Sequence, residues 1–246
     1  FFTEMWERFS YYGMRAIFVL FLTASFSDGG WEWTRERALG LLGIYTSSVY
    51  LTPIIGGWIA DKFTGYQKAV ALGALLMTFG HAALAFETEF MFYVGVGLLI
   101  AGNGLFKPNV TSVVSGLYDR YPDRKDGAFT IFYMGINIGG WVAPLLCGWL
   151  AATYGWHYGF GLAGIGMLTG LIVFWRGIQK NVFGDRGLPP NEHVLEKKVL
   201  GVKQGILVPV LAVLAAPLIA LLLSSYKAIA TEGMFADQNI VNVIFT

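Results

Sequence analysis

Six residues able to carry ionic or acid–base chemistry, Glu4, Glu7, Arg8, Tyr11, Tyr12 and Arg15, fall close together near one end of the sequence. On a helix, Glu4, Arg8, Tyr11, Tyr12 and Arg15 share one broad face, and Glu7 lies beside it and reaches Tyr11 four residues on. The opposite face is apolar, carrying Phe2, Trp6, Phe9, Ile17 and Leu20. Two carboxylates beside two guanidinium groups can exchange ion-pair partners and protons, because moving a cation toward or away from a carboxylate changes the cost of its ionisation. A lone neutralising pair, or first turns protruding into water, would also accommodate Glu4 and Arg8. It would not call for a second carboxylate, a second arginine and two tyrosines. Lys107, followed by the helix-kinking Pro108, is a further isolated charge, and Tyr133 and Asn137 form an i,i+4 pair followed by Gly139, Gly140 and Pro144.

The elements that position these residues are long apolar runs. Of 246 residues, 55% are hydrophobic and 13% charged, against roughly 25% charged in an ordinary soluble domain; this excludes a disordered chain and disfavours a soluble globule. Six runs come first, at about 1–26, 38–60, 68–86, 90–118, 127–154 and 158–182, each long enough for a bilayer-spanning helix of about 20 residues. None shows the short alternating segments of a membrane barrel. The polar stretch from Phe183 to Lys203 reads as a solvent-side linker, a seventh run covers about 206–226, and an eighth begins at Asn239. The chain starts and stops inside apparent helices, shows no secretory signal, and is expected to be part of a longer protein. Glycine is abundant, at 32 residues, without a collagen period, so close helix packing and turns are its expected uses.

Charge distribution sets the expected orientation. Lys62 and Lys68, then Arg120, Arg124 and Lys125, then Arg176, Lys180, Arg186, Lys197, Lys198 and Lys203 gather on one side, against Arg35, Arg37 and Lys227 on the other. Lysine and arginine bias marks the first side, with the linker and the N-terminus, as cytoplasmic. The protein is therefore expected to be multi-pass in a plasma or bacterial inner membrane. Glu4, Glu7, Arg8, Arg15 and Lys107 remain inside spans. A central charge costs about 2.5–3.5 kcal/mol even on the lenient insertion scale, so the four in the first helix would cost on the order of 10 kcal/mol facing lipid. They are expected to face protein or a water-filled cavity. Lys107 sits about 16 Å of helix from the end of its span, too far to snorkel, and needs an internal partner.

Other patterns carry less. The near-zero net charge of +1 offers no field for nucleic acid, and the single Cys147 excludes an intrachain disulfide framework. His81, His157 and His193 lie on separate segments without a metal-ligand pattern, no hydrolase elbow is present, and the Asn109-Val110-Thr111 sequon falls inside a span. No cofactor and no metal are expected. Taken alone, Asn137 reads first as interhelical packing glue, and Tyr45 and Tyr50 as ordinary membrane tyrosines.

The segment Glu4-Met5-Trp6-Glu7-Arg8-Phe9-Ser10-Tyr11-Tyr12-Gly13 matches every fixed position of the ExxERFxYYG motif of the proton-coupled oligopeptide transporter family, within the major facilitator superfamily. Phe132-Tyr133-Met134-Gly135-Ile136-Asn137-Ile138-Gly139 resembles the family's FYxxINxG signature, and Gly102 to Asn109 resembles its fourth-helix lysine-proline segment. Gly57 to Lys68 is similar to the superfamily loop between helices two and three, with Lys62 and Gln67 where arginines are frequent.

The resemblance implies an all-α polytopic membrane protein. Residues 1–183 would form a six-helix major facilitator bundle, the N-terminal half of a twelve- to fourteen-helix transporter. Residues 184–205 would be a cytoplasmic linker and 206–246 an inserted inter-bundle helix with the start of a second, the C-terminal bundle lying in a further part of the same chain. It further implies a symporter that imports di- and tripeptides by alternating access, with protons as coupling ion and the lipid bilayer as surroundings. Glu4, Glu7, Arg8 and Lys107 would carry proton coupling. Arg8, Tyr12 and Lys107 would grip the peptide carboxylate, Asn137 would hold the amino terminus, and Tyr11, Arg15, Tyr50 and Tyr133 would line the cavity, Tyr50 being preferred to Tyr45 on spacing. Asp61 would take part in gating. Transport of nitrate or another small anion on the same fold is the alternative within the family. An intramembrane enzyme using Glu4 and Glu7 is the alternative outside it.

Overall fold

The computed structural model describes residues 1–86, 88–119 and 121–189, together with 198–199, 202–203 and 219. Six long helices dominate: α1 (Phe2–Thr23), α2 (Arg35–Ile59), α3 (Tyr66–Leu84), α4 (Glu89–Leu117), α5 (Lys125–Tyr154) and α6 (Trp156–Gln179). A short antiparallel ladder, β1 (Lys198–Val199) with β2 (Val202–Lys203), follows in the linker. The apolar stretches 206–226 and 239–246 lie outside the described residues, Ile219 apart.

The helix ends differ from the apolar runs for local reasons. The first run overshoots α1, because Ser25 accepts a hydrogen bond from the Asp28 backbone N–H and starts a separate 3₁₀ turn at Phe26–Asp28. In contrast, α2 begins three residues before its apolar run: Thr34 caps it by accepting from the Arg37 N–H, so the charged first turn Arg35-Glu36-Arg37 is helical. Thr88 caps α4 in the same way, through the Met91 N–H. Gly155 alone joins α5 to α6, with φ of 117° that a side chain would strain. α4 continues through Pro108; the sequence led us to expect a break in helical regularity there.

Packing places α1 and α4 inside. α1 lies chiefly against α5 and α6, and α4 against α3 and α2, while α3 also packs on α6. At the end of α1 away from Glu4, Phe18 and Phe21 join Phe92 and Phe160 in a buried aromatic cluster, with ring centroids 5.2 Å apart for Phe18 and Phe92 and 5.5 Å for Phe21 and Phe160. Small residues bring the inner helices close. A Cβ on Gly56 of α2 would run into the Gly104 carbonyl of α4, and one on Gly139 of α5 into the Met5 carbonyl of α1. Asn109 locks the first of these contacts, its Nδ2 donating to Leu105 O at 2.6 Å and across to Gly56 O at 3.3 Å.

α2, α4, α5 and α6 are long and apolar enough to cross a membrane. α1 carries the charges already noted, and α3 contains Gln67, Lys68 and His81. α2 and α5 turn large apolar side chains outward, Ile54 at 73% and Trp141 at 75% exposure among them. Such a surface suits contact with lipid or further protein and would be a liability in water.

Candidate functional site

The charged face of α1 is drawn into the bundle. Glu4, Glu7 and Arg8 are all buried, Glu7 completely. Arg8 donates through Nη2 to Glu7 Oε1 at 2.6 Å and through Nε to Glu7 Oε2, and the same Nε lies 3.4 Å from Glu4 Oε1. One guanidinium is thus shared by two carboxylates. Glu4 Oε2 is buried without a hydrogen-bond partner among the described residues, so the cluster retains one open acceptor position. Excluding water from this group strengthens each charge interaction within it, and removing one member would leave another buried and uncompensated.

Tyrosines extend the cluster. The Arg8 guanidinium stands 5.0 Å from the Tyr11 ring centroid, Tyr11 meets Tyr12 edge to face at 5.1 Å, and Tyr45 of α2 stacks on Tyr11 at 6.4 Å. Tyr45 is buried between Tyr11 and Phe18, whereas Tyr50 is 64% exposed. Tyr50 nevertheless meets a charge: the half-buried Lys107 Nζ lies 4.9 Å from its ring centroid. A cation over an aromatic face is attracted by the ring quadrupole, by about 0.5–1 kcal/mol where exposed. Lys107 thus faces an aromatic ring that is itself largely exposed.

Tyr12 and Asn137 meet across a cavity of about 470 Å³ that is also lined by Ile136, Gly140 and Trp141. Gly140 makes this possible, because a Cβ there would press on the Tyr12 ring at 3.0 Å. Asn137 is exposed to the cavity side rather than sealed between helices. Two other sequence candidates stand apart. Arg15 is exposed and forms none of the ion pairs among the described residues, and Tyr133 is exposed with its ring against Phe129 and Phe132. Asp61 lies in the π-helical turn Ala60–Thr64 that continues α2, where its Oδ1 accepts from the Tyr66 hydroxyl at 2.9 Å.

Several polar contacts had no signal in the sequence. Ser10 Oγ of α1 and His81 Nε2 of α3 share a buried hydrogen bond of 2.6 Å. Gln67 is buried and donates to the Gly184 carbonyl at 3.1 Å and the Arg186 carbonyl at 2.5 Å, clamping the segment after α6 onto the start of α3. Tyr45 was distinguishable from Tyr50 only by spacing.

The chain as a whole resembles known proteins. The family model described as PTR2, POT family, matches residues 67–200. The chain belongs to the POT family. It is 46% identical over 177 residues to the peptide transporter YePEPT of Yersinia enterocolitica, covering 71% of this chain and 35% of that protein. It is 39% identical over 247 residues to a di-/tripeptide transporter of Lactococcus lactis subsp. cremoris, covering 98% of this chain and 48% of that one. Among solved structures, a mutant of peptide transporter POT in complex with alafosfalin superposes with a TM-score of 0.75 at 42% identity, over 90% of this chain and 45% of that chain. The chain spans half or less of the length of these relatives. The fold is accordingly the all-helical bundle of POT transporters.

Proposed function

We propose that the full-length POT protein to which this chain belongs is a symporter that imports di- and tripeptides together with protons. The observation that carries the reading is the sharing of Arg8 between Glu4 and Glu7, with Glu4 Oε2 left as an open buried acceptor. Protonating a carboxylate removes its hold on the guanidinium, and the freed cation favours a bound anion in its place. Arg8, with Lys107 and Tyr12, then grips the peptide's terminal carboxylate, and Asn137 helps to hold the amino terminus. Tyr11, Arg15, Tyr50 and Tyr133 line the path, and Asp61 contributes to gating at the turn between α2 and α3. Protons are the coupling ion, and no cofactor takes part.

In this reading the described bundle rocks against a C-terminal bundle of the same chain about a midplane cavity. The protein spans a plasma or bacterial inner membrane, with its N-terminus cytoplasmic. Support comes from the similarity to peptide and di-/tripeptide transporters, and their being transporters speaks against an enzyme.

The test is dipeptide uptake by the full-length protein in proteoliposomes under an inward proton gradient. Glu7→Gln is expected to abolish gradient-driven accumulation while retaining peptide counterflow. Normal accumulation by that variant would remove Glu7 from proton coupling, and absence of any peptide flux in the wild type would overturn the substrate class.

A further inference from the structure

A second cavity lies away from the charged cluster, between α3 and α6. It has a volume of about 650 Å³, within the ~300–1,000 Å³ of small-ligand clefts. Its polarity is graded along its length. Leu72 and Leu75 of α3 face Leu171 and Ile172 of α6 in its inner part, whereas Lys68, Arg176 and Gln179 stand at one end. That grouping follows from chain direction: the first turn of α3 and the last turns of α6 lie at the same end of the bundle. Loop charges assign this end to the cytoplasm.

Two features define an occupant. Lys68 and Arg176 are exposed, and neither forms an ion pair among the described residues; no carboxylate is among the described residues lining the groove. Among the described residues, the mouth therefore carries two cations without an ion-pair partner over an apolar cleft. Farther along the same two helices Phe79 and Ile165 are exposed as well, so an apolar occupant could enter from within the bilayer. Trp175 beside Arg176 is the amphipathic side chain that settles at headgroup level.

We propose that this groove binds an anionic phospholipid. The phosphate sits between Lys68 and Arg176, and one acyl chain lies along Leu72, Leu75 and Ile172. A zwitterionic lipid could fill the cleft but would leave the cations less well matched. At about 1 kcal/mol per basic side chain near an anionic headgroup, two cations correspond to roughly a thirty-fold preference.

Native mass spectrometry of the purified full-length protein, titrated with phosphatidylglycerol and phosphatidylcholine of identical chains, measures this preference without any transport readout. The wild type is expected to retain phosphatidylglycerol roughly thirty-fold more strongly. Lys68→Ala with Arg176→Ala is expected to bring the ratio close to one while leaving thermal stability unchanged, and Leu75→Trp, which fills the cleft, is expected to weaken retention of both lipids. Equal retention of the two lipids by the wild type, or an unchanged ratio in the double variant, would overturn the proposal. So would efficient disulfide formation in membranes between Leu75→Cys and a cysteine introduced in 206–226, which would identify the occupant as a segment of this chain.

Discussion

Arg8 and Glu7 are neighbours in sequence, yet the Arg8 Nη2 donates to Glu7 Oε1 at 2.6 Å and the Nε reaches the second oxygen. Successive helix residues point about 100° apart and do not normally face each other. The contact forms because both side chains are enclosed in the bundle: Glu7 and Arg8 are both buried, so neither turns toward water. Glu4, one turn away, adds a second carboxylate 3.4 Å from the same Nε.

Glu7→Ala should therefore leave Arg8 as a buried cation with only the longer Glu4 contact. The expected loss is about 3–5 kcal/mol, as for breaking a buried ion pair, and Glu7→Ala with Arg8→Ala should cost clearly less than the sum of the single variants. Thermal unfolding of the detergent-solubilised protein measures both. Additive losses would show that the pair is not energetically coupled.

Tyr50 presents its ring to Lys107 at 4.9 Å. Tyr50→Phe retains the aromatic face and should leave peptide affinity within about two-fold, whereas Tyr50→Leu removes a contact worth about 0.5–1 kcal/mol and should weaken it by roughly two- to five-fold. Isothermal titration with a dipeptide separates the two. Equal weakening in both variants would assign the effect to the hydroxyl.

Gly56 meets the Gly104 carbonyl where α2 crosses α4. Because the obstacle is backbone rather than a movable side chain, Gly56→Ala should push the helices apart and destabilise the bundle by about 1–3 kcal/mol. Gly43, whose Cβ position has nothing within 4 Å, supplies the control: Gly43→Ala should be neutral or stabilising, since alanine favours a helix interior. Melting temperatures of the two variants give the comparison.

Gln67 donates to the carbonyls of Gly184 and Arg186. At about 0.5–1.5 kcal/mol for each hydrogen bond lost, Gln67→Ala should raise the population of the opened segment about five-fold or more. Trypsin cleavage after Arg186, followed in inverted membrane vesicles, reports that opening. An unchanged cleavage rate would mean that the backbone bond from Gln67 N to Gly187 O, 3.1 Å long, holds the segment unaided.

The sequence by itself determined the helical and membrane-spanning character of the protein, because run length, composition and the absence of alternation are local properties. It also pointed to the family, through a motif in which seven of the ten residues from Glu4 to Gly13 have a fixed identity, and the family model matches residues 67–200. It located the buried charges as a group, since the cost of exposing them to lipid is independent of the details of packing. Tertiary structure decided how that group is divided. Spacing gave Arg15 the same face as Arg8, yet Arg8 is enclosed and Arg15 exposed. The neighbouring helices cover only part of that face, and which part depends on contacts distant in sequence. The same holds for Tyr45 against Tyr50, for the bond between Ser10 and His81, and for the clamp of Gln67 on residues 184–186. Each joins residues far apart in the chain through a geometry set by helix crossings, which glycines such as Gly56 and Gly139 permit and one-dimensional periodicity does not encode.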